Sequence, residues 1–142
     1  MSTGAITLAD ITSSDWSLEL DSNSTTGLLG SGIGNVVQGV ADIEQCLIII
    51  LTTPLGSDPL RPTFGCDLLS WIDKPITLAT PGVVAAVVAA ITIWEPRVQL
   101  LSVVITSGTS GQLIIAITWQ LKAQGAGVGN QRLVLTVPGD LA

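Results

Sequence analysis

The stretch "ITIWEPRVQL" at residues 91–100 decides how this chain is divided. Before it runs "TPGVVAAVVAA" (Thr80–Ala90), and after it begins "VQLLSVVITS" (Val98–Ser107), rich in β-branched residues. Pro96 cannot continue a helix, because it lacks an N–H and its ring crowds the preceding turn; it disfavours helical geometry at Glu95 as well. Helix therefore gives way to strand at about Trp94. Glu95 and Arg97 are also the only charged residues from Pro75 to Leu121. Opposite charges flanking a proline in such surroundings suit a catalytic carboxylate, a structural ion pair or a contact with another protein.

Working back from this corner, Thr80 reads as a helix cap with Pro81 in the first turn, and the helix runs through small residues to Trp94. Upstream, "TTPLGSDPLRPTFGCDLLSWI" places Pro54, Pro59, Pro62, Gly56 and Gly65 within twelve residues, which makes a rigid, non-repetitive loop. A short apolar helix is expected around Asp67–Ile72. Before the loop, Asp42 followed by Gln45 reads as a capping box that starts another helix. Ile43, Cys46, Leu47, Ile50 and Leu51 recur at helical spacing, and Ile48 and Ile49 widen the face, so burial on most sides is expected. Pro54 and Gly56 end it.

Downstream, "VQLLSVVITS", a turn at Gly108–Gly111 and "QLIIAITWQLK" read as a hairpin. Leu113, Ile115, Ile117, Trp119 and Leu121 share one face of its second strand. A third strand carries Leu133, Leu135 and Val137 on one side and Arg132, Val134 and Thr136 on the other. Two to three helices packed on a small antiparallel meander of about three strands make an α+β domain. The sheet has two edges, and an edge can dock a partner. Residues 1–35 form a Ser/Thr/Gly-rich arm, and residues 36–142 the main domain. Within the arm, "DWSLELDS" alternates as a short strand with Trp16, Leu18 and Leu20 on one face. Gly30, Gly32 and Gly34 precede no "GK[ST]", so a flexible loop, not a phosphate loop, is expected there.

The composition narrows the class. At 142 residues the chain is 47% hydrophobic and 11% charged, against about 25% charged in ordinary soluble domains. So apolar a chain either enters a membrane or covers itself with other subunits. The run "GVVAAVVAAITIW" is too short for a spanning helix of about 20 residues, which favours an assembly subunit. The net charge of −6 reflects few bases, and the five present do not cluster, which argues against nucleic acid. Cys46 and Cys66 read as buried free thiols. With four tryptophans, core positions are the simplest reading, Trp16 excepted.

The sequence offers little chemistry. It has no histidine, which removes Ser-His-Asp and Cys-His arrangements and histidine zinc sites. Its carboxylates are dispersed, so no metal, cofactor or small-molecule substrate is expected. A two-carboxylate glycosidase would draw on Glu44, Asp67 or Glu95. Glu44 and Asp67 sit at helix starts, where negative charge is favoured anyway, and Arg97 is a ready ion-pair partner for Glu95. No enzyme is expected.

Two segments carry a family resemblance. "DIEQCLIIILTTPLGSDPLRPTFGCDLL" (Asp42–Leu69) resembles the helix-plus-loop of the phage baseplate assembly protein W family, and "WEPRV" (Trp94–Val98) matches that family's Glu-Pro-Arg motif in the expected place. These are wedge subunits, or sheath initiators, of contractile tails, with a counterpart in type VI secretion baseplates. The resemblance covers about Asp42 to Pro138. It implies a fold similar to the sheath subunit's inner domain, in a virion tail baseplate assembled in the host cytoplasm. The implied partners are the tail sheath subunit and other wedge proteins, with tail tube or hub as further candidates. It implies that Glu95, Pro96 and Arg97 bind a partner, and that Pro54, Gly56, Arg61, Pro62, Phe64 and Gly65 form a shaped loop beneath them. For Arg61, loop-bracing bonds to carbonyls compete with direct binding. Thr63 stands where the family often has an acid, which bears on any pairing with Arg61. A type VI secretion or tailocin subunit is the alternative. A peptidoglycan glycosidase is the alternative of another class, resting on a lysozyme label that some members carry.

Overall fold

The computed structural model describes residues 11–20, 36–122 and 129–137. The chain divides into two compact units, Met1–Cys46 and Leu47–Ala142, with the boundary inside helix α1 (Val40–Thr52).

In the first unit, β1 (Trp16–Leu18) pairs antiparallel with β2 (Val36–Gln38) through three residue pairs, Trp16 opposite Gln38 and Leu18 opposite Val36. Three pairs alone make a marginal ribbon. Two glutamines reinforce it. The Gln38 side-chain oxygen accepts the N–H groups of Thr12 (2.9 Å) and Ser13 (3.0 Å). Gln45 accepts the Leu20 N–H at 2.9 Å and donates to the Leu18 carbonyl at 2.8 Å and the Ser17 hydroxyl at 3.0 Å. The capping box expected at Asp42 and Gln45 is therefore absent: α1 starts two residues earlier, at Val40, and the Gln45 amide braces β1 instead. β2 falls where a loop was expected, because three residues carry too little alternation to read. Gly30, Gly32 and Gly34 lie outside the described residues.

In the second unit, α1 ends at Thr52 and α2 (Leu69–Ile72) follows the proline loop. α3 spans Ile76–Trp94, starting four residues before the expected cap. Pro75 is its N-cap, and the Pro75 carbonyl accepts from both Leu78 and Ala79 at 2.9 Å. Thr80 caps nothing; its hydroxyl donates back to the Ile76 carbonyl at 2.6 Å. The helix passes through Pro81, leaving the Thr77 carbonyl without the donor that any other residue would supply. At nineteen residues α3 is long and apolar enough to cross a membrane by length and composition, so the length argument from the thirteen-residue run does not hold. Its buried residues, Ala79, Val83, Val87, Ala90 and Ile91, form one stripe, as in a core helix whose other face is open.

The sheet is antiparallel in the order β3 (Val98–Ser107), β4 (Leu113–Leu121), β5 (Gln131–Val137), giving an α+β fold. Gly111, at φ +76°, closes the β3–β4 turn. β4 is the central strand and buries Leu113, Ile115, Ile117 and Trp119. Each such Ile side chain contributes about 1.5–3 kcal/mol by leaving water. On β5, Leu133, Leu135 and Val137 are half-buried, while Arg132, Val134 and Thr136 are exposed, as the alternation predicts. β3 breaks alternation at Leu101, where a bulge lies between Leu100 and Ser102; Val98 and Leu100 turn inward before it, and Val103 and Ile105 after it. Of the tryptophans, only Trp119 is fully buried, and its indole N–H has no hydrogen-bond partner among the described residues. Trp71 and Trp94 are half-buried and Trp16 is exposed. Ile48 on α1 is also exposed, so that helix is covered on fewer sides than its composition suggests.

Candidate partner-binding site

Helix α3 stops because Pro96 follows Glu95. The Glu95 N–H still donates to the Ile91 carbonyl at 2.9 Å, but its backbone has left the helix at φ −129°, ψ 72°. The Glu95 carbonyl then accepts the Val98 N–H at 3.2 Å, which makes Glu95–Val98 a β-turn with Pro96 at its second position, where a fixed φ is preferred. β3 starts at Val98, and the Arg97 carbonyl takes the Lys122 N–H at 2.9 Å. One four-residue corner thus ends a helix and starts a sheet.

The two charges meet across that turn. Arg97 donates from Nε to Glu95 Oε1 at 2.7 Å and from Nη2 to Oε2 at 2.8 Å, a bidentate fork. Their side chains differ in exposure: Glu95 keeps 4% of its surface open and Arg97 keeps 34%. A carboxylate this buried must be paired, and the guanidinium supplies the pairing from the solvent side.

The proline loop is three β-turns in series. Pro54–Ser57 closes through Ser57 N–H to Pro54 O at 3.1 Å, with Gly56 at φ +83°, the left-handed position a type II turn demands. Asp58–Arg61 closes at 3.2 Å with Pro59 second, and Arg61–Phe64 at 2.9 Å with Pro62 second. Asp58 anchors the middle turn: Oδ1 accepts the Leu60 N–H at 2.9 Å, and Oδ2 accepts Arg61 Nε at 3.2 Å. The Leu60 N–H and then Arg61 hold this carboxyl below its usual range. Arg61 therefore braces the loop through a carboxylate, not through the expected carbonyls, and its guanidinium also lies 4.7 Å over the Phe64 ring. The loop returns to its own start where Cys66 N–H donates to Thr53 O at 2.9 Å. Gly65 allows that closure: it sits at φ +108°, and a Cβ there would overlap the Thr53 carbonyl oxygen. Burial, with the Asp67 charge adding to it, pushes the Cys66 thiol up to about 11.

Loop and corner are joined by Trp94, a residue absent from the sequence-derived site. Its indole N–H donates to the Thr63 carbonyl at 3.2 Å, and Phe64 meets its ring edge-on at 5.1 Å and 74°. Arg61, Phe64 and Trp94 thus form a stack that ends beside Glu95. Position 94 could have been singled out by adjacency to Glu95, but its composition alone suggested core. The Thr63 departure matters less than the motif implies, since the main-chain oxygen makes the contact and Arg61 finds Asp58. No group of three or more metal-ligating side chains occurs among the described residues.

Comparison with known proteins shows the family. The family described as "Baseplate wedge protein gp25" matches residues 37–126. The chain belongs to that family. It is a baseplate wedge protein of contractile phage tails, with its place in the virion tail baseplate. Among relatives, baseplate protein W of Escherichia phage P2 is 33% identical over 120 residues, which cover 84% of this chain and 94% of that protein. Two solved structures are similar in fold. A crystal structure from Geobacter sulfurreducens described as a tail lysozyme has a TM-score of 0.61 and 31% identity, covering 72% of this chain and 94% of that one. A component of the postcontracted pyocin R2 baseplate has a TM-score of 0.57 and 28% identity, covering 75% of this wedge chain and 100% of its own.

Proposed function

We propose that this wedge subunit nucleates the tail sheath by offering the free edge of β5 for strand addition, while Glu95, Pro96 and Arg97 dock on other wedge proteins. The observation that carries the reading is β5 itself. Among the described residues its one ladder partner is β4. Beside it a groove of about 390 Å³ is lined by Leu135, Thr136 and Val137 on one side and by Leu51, Pro54, Cys66, Leu68, Leu69 and Ile72 on the other. An added strand gains main-chain hydrogen bonds at such an edge, and an apolar groove takes its alternate side chains and fixes register. The sheath subunit is the partner for that edge; tail tube or hub are further neighbours. Pro54, Gly56, Arg61, Pro62, Phe64 and Gly65 hold the corner from below through Trp94. Pro96 is exposed and Arg97 is a third open, so a neighbour can grip the corner without breaking the Glu95 pair. We keep residues 1–35 as an arm and 36–142 as the wedge domain, a division supported by the family match starting at residue 37.

The subunit acts without catalysis or cofactor in this reading. A cell-wall hydrolase is suggested by the description of the Geobacter relative, but both Glu95 oxygens are taken by Arg97. A pyocin-like or secretion-system particle would use the same surfaces.

The test is electron microscopy of particles carrying Thr136→Trp, which fills the groove from an exposed position, and separately Arg97→Ala. Bare tubes or unsheathed baseplates are the expected outcome. Normal sheathed tails from both variants would overturn the proposal, and turnover of peptidoglycan lost in Glu44→Gln or Glu95→Gln would replace it.

A further inference from the structure

The formal charge of −6 lies wholly in one unit. Residues 1–46 hold Asp10, Asp15, Glu19, Asp21, Asp42 and Glu44 and no Lys or Arg, whereas residues 47–142 hold five acids and five bases. On this acidic unit β1 wears its apolar side outward. Trp16, Leu18 and Leu20 are 44%, 55% and 62% exposed, while Ser17 between them is turned to Gln45. An ordinary half-buried strand shows water the opposite pattern.

Nor is the segment loosely held. The Gln45 amide meets the Leu18 carbonyl and the Leu20 N–H as a peptide of a neighbouring strand would, and Gln38 ties down Thr12 and Ser13. The backbone is fixed and the apolar row is displayed. A contiguous exposed row containing Trp marks a protein contact, since such side chains dominate binding energy and here little ordering remains to be done.

Charge selects the occupant. A second copy would set one acidic unit against another, and an anionic lipid surface would repel it in the same way. We propose that the Trp16–Leu18–Leu20 face docks a different protein of the tail, one presenting an apolar groove rimmed with Lys and Arg. The groove takes the row, a guanidinium stacks on the Trp16 indole, and the exposed acids of the same segment, Glu19 between Leu18 and Leu20 foremost and Asp15 beside Trp16, steer the approach and reject anionic surfaces. This docking is separate from strand addition at β5 and stands or falls without it.

The experiment places a benzophenone amino acid at Leu18, and in parallel at Val134 and Val104, in subunits assembled into tails, and maps the cross-linked peptides by mass spectrometry. The position-18 probe is expected to join a Lys/Arg-flanked apolar segment of another tail protein. Trp16→Ser with Leu20→Ser should lower that yield about tenfold or more, and Glu19→Lys severalfold. Because these side chains are exposed, melting temperatures should be unchanged; if the double variant melts early, Leu20→Ser alone carries the comparison. Cross-links to another copy, to lipid or to an acidic or neutral surface, or a yield no higher than at Val104, would overturn the proposal. The Val134 probe reports the β5 sheet independently, so failure there would count against strand addition alone.

Discussion

Trp94 donates its indole N–H to the main-chain oxygen of Thr63 at 3.2 Å, across thirty-one residues of sequence. That single bond, with the Phe64 ring against the same indole, fastens the proline loop to the last turn of α3 and so to the Glu95 corner. Trp94→Phe keeps most of the packing and deletes the donor. A loss of about 1 kcal/mol in denaturant unfolding is expected, whereas Trp94→Ala should cost about 3 kcal/mol or more.

The Glu95–Arg97 fork gives a prediction with a sign. Arg97→Ala leaves a buried carboxylate unpaired and should cost about 3 kcal/mol, somewhat less if water reaches it from the open Arg97 side. Replacing both residues, as Glu95→Gln with Arg97→Met, should recover part of that loss. A double-mutant cycle by chemical denaturation reads the coupling; additive single effects would mean that the fork contributes nothing net.

Gly65→Ala should be among the most damaging single-methyl additions to this chain. It combines a left-handed φ of +108° with overlap on the Thr53 carbonyl, a backbone atom that cannot step aside. A loss of about 2 kcal/mol or more is expected in thermal or chemical unfolding.

Gly82→Ala fails for another reason. A Cβ at Gly82 would enter the Trp71 ring, over which Lys74 Nζ also lies, 3.9 Å from the centroid. The cost should be about 1–3 kcal/mol from overpacking. In a Trp71→Ala background the same substitution should become neutral or stabilising, since alanine is the better helix former. Paired melting curves decide it.

Cys66 sets an alkaline limit. Its thiol is raised from about 9 to about 11 in the fold, so the folded state holds its proton longer than the unfolded state does. Its contribution is fully present below about pH 9 and is lost as pH climbs to about 11, because the unfolded thiolate becomes favoured first. Cys66→Ala should flatten the stability curve across that window relative to the unaltered chain, and native Cys66 should resist alkylation at pH 8.

Much of this architecture could be read from residues alone, and the misses have physical causes. Pro96 announced the helix-to-strand corner, and strict alternation in β4 gave its buried face because β4 itself carries no bulge: its ladder with β5 is continuous, and the register shift against β3 falls within β3. β3 resisted the same reading because the Leu101 bulge inverts the inward face halfway along. The start of α3 was misplaced because Thr80–Pro81 imitates a helix entry, while Pro75, an N-cap without a capping side chain, does the work. β2 and the Gln45 bracket were hidden for a different reason: a side-chain amide completing a strand twenty-five residues away leaves no periodicity to detect. Of the site, the charged pair and the loop glycines were legible, whereas Trp94 needed three dimensions.

The exposed rim of β5 carries one further cost for the producing cell. Among the described residues only β4 pairs with β5, and on the proposed reading its other edge waits for a partner; an open edge accepts any extended chain, a sister subunit included, so every copy made ahead of its partners would be a seed for off-pathway clumping. Arg132, exposed on that strand, is placed where a charge would oppose such self-pairing. Particle yield should therefore depend on synthesising this polypeptide in step with its neighbours, and neutralising Arg132 should appear first as insoluble product, before any fault in the finished tail.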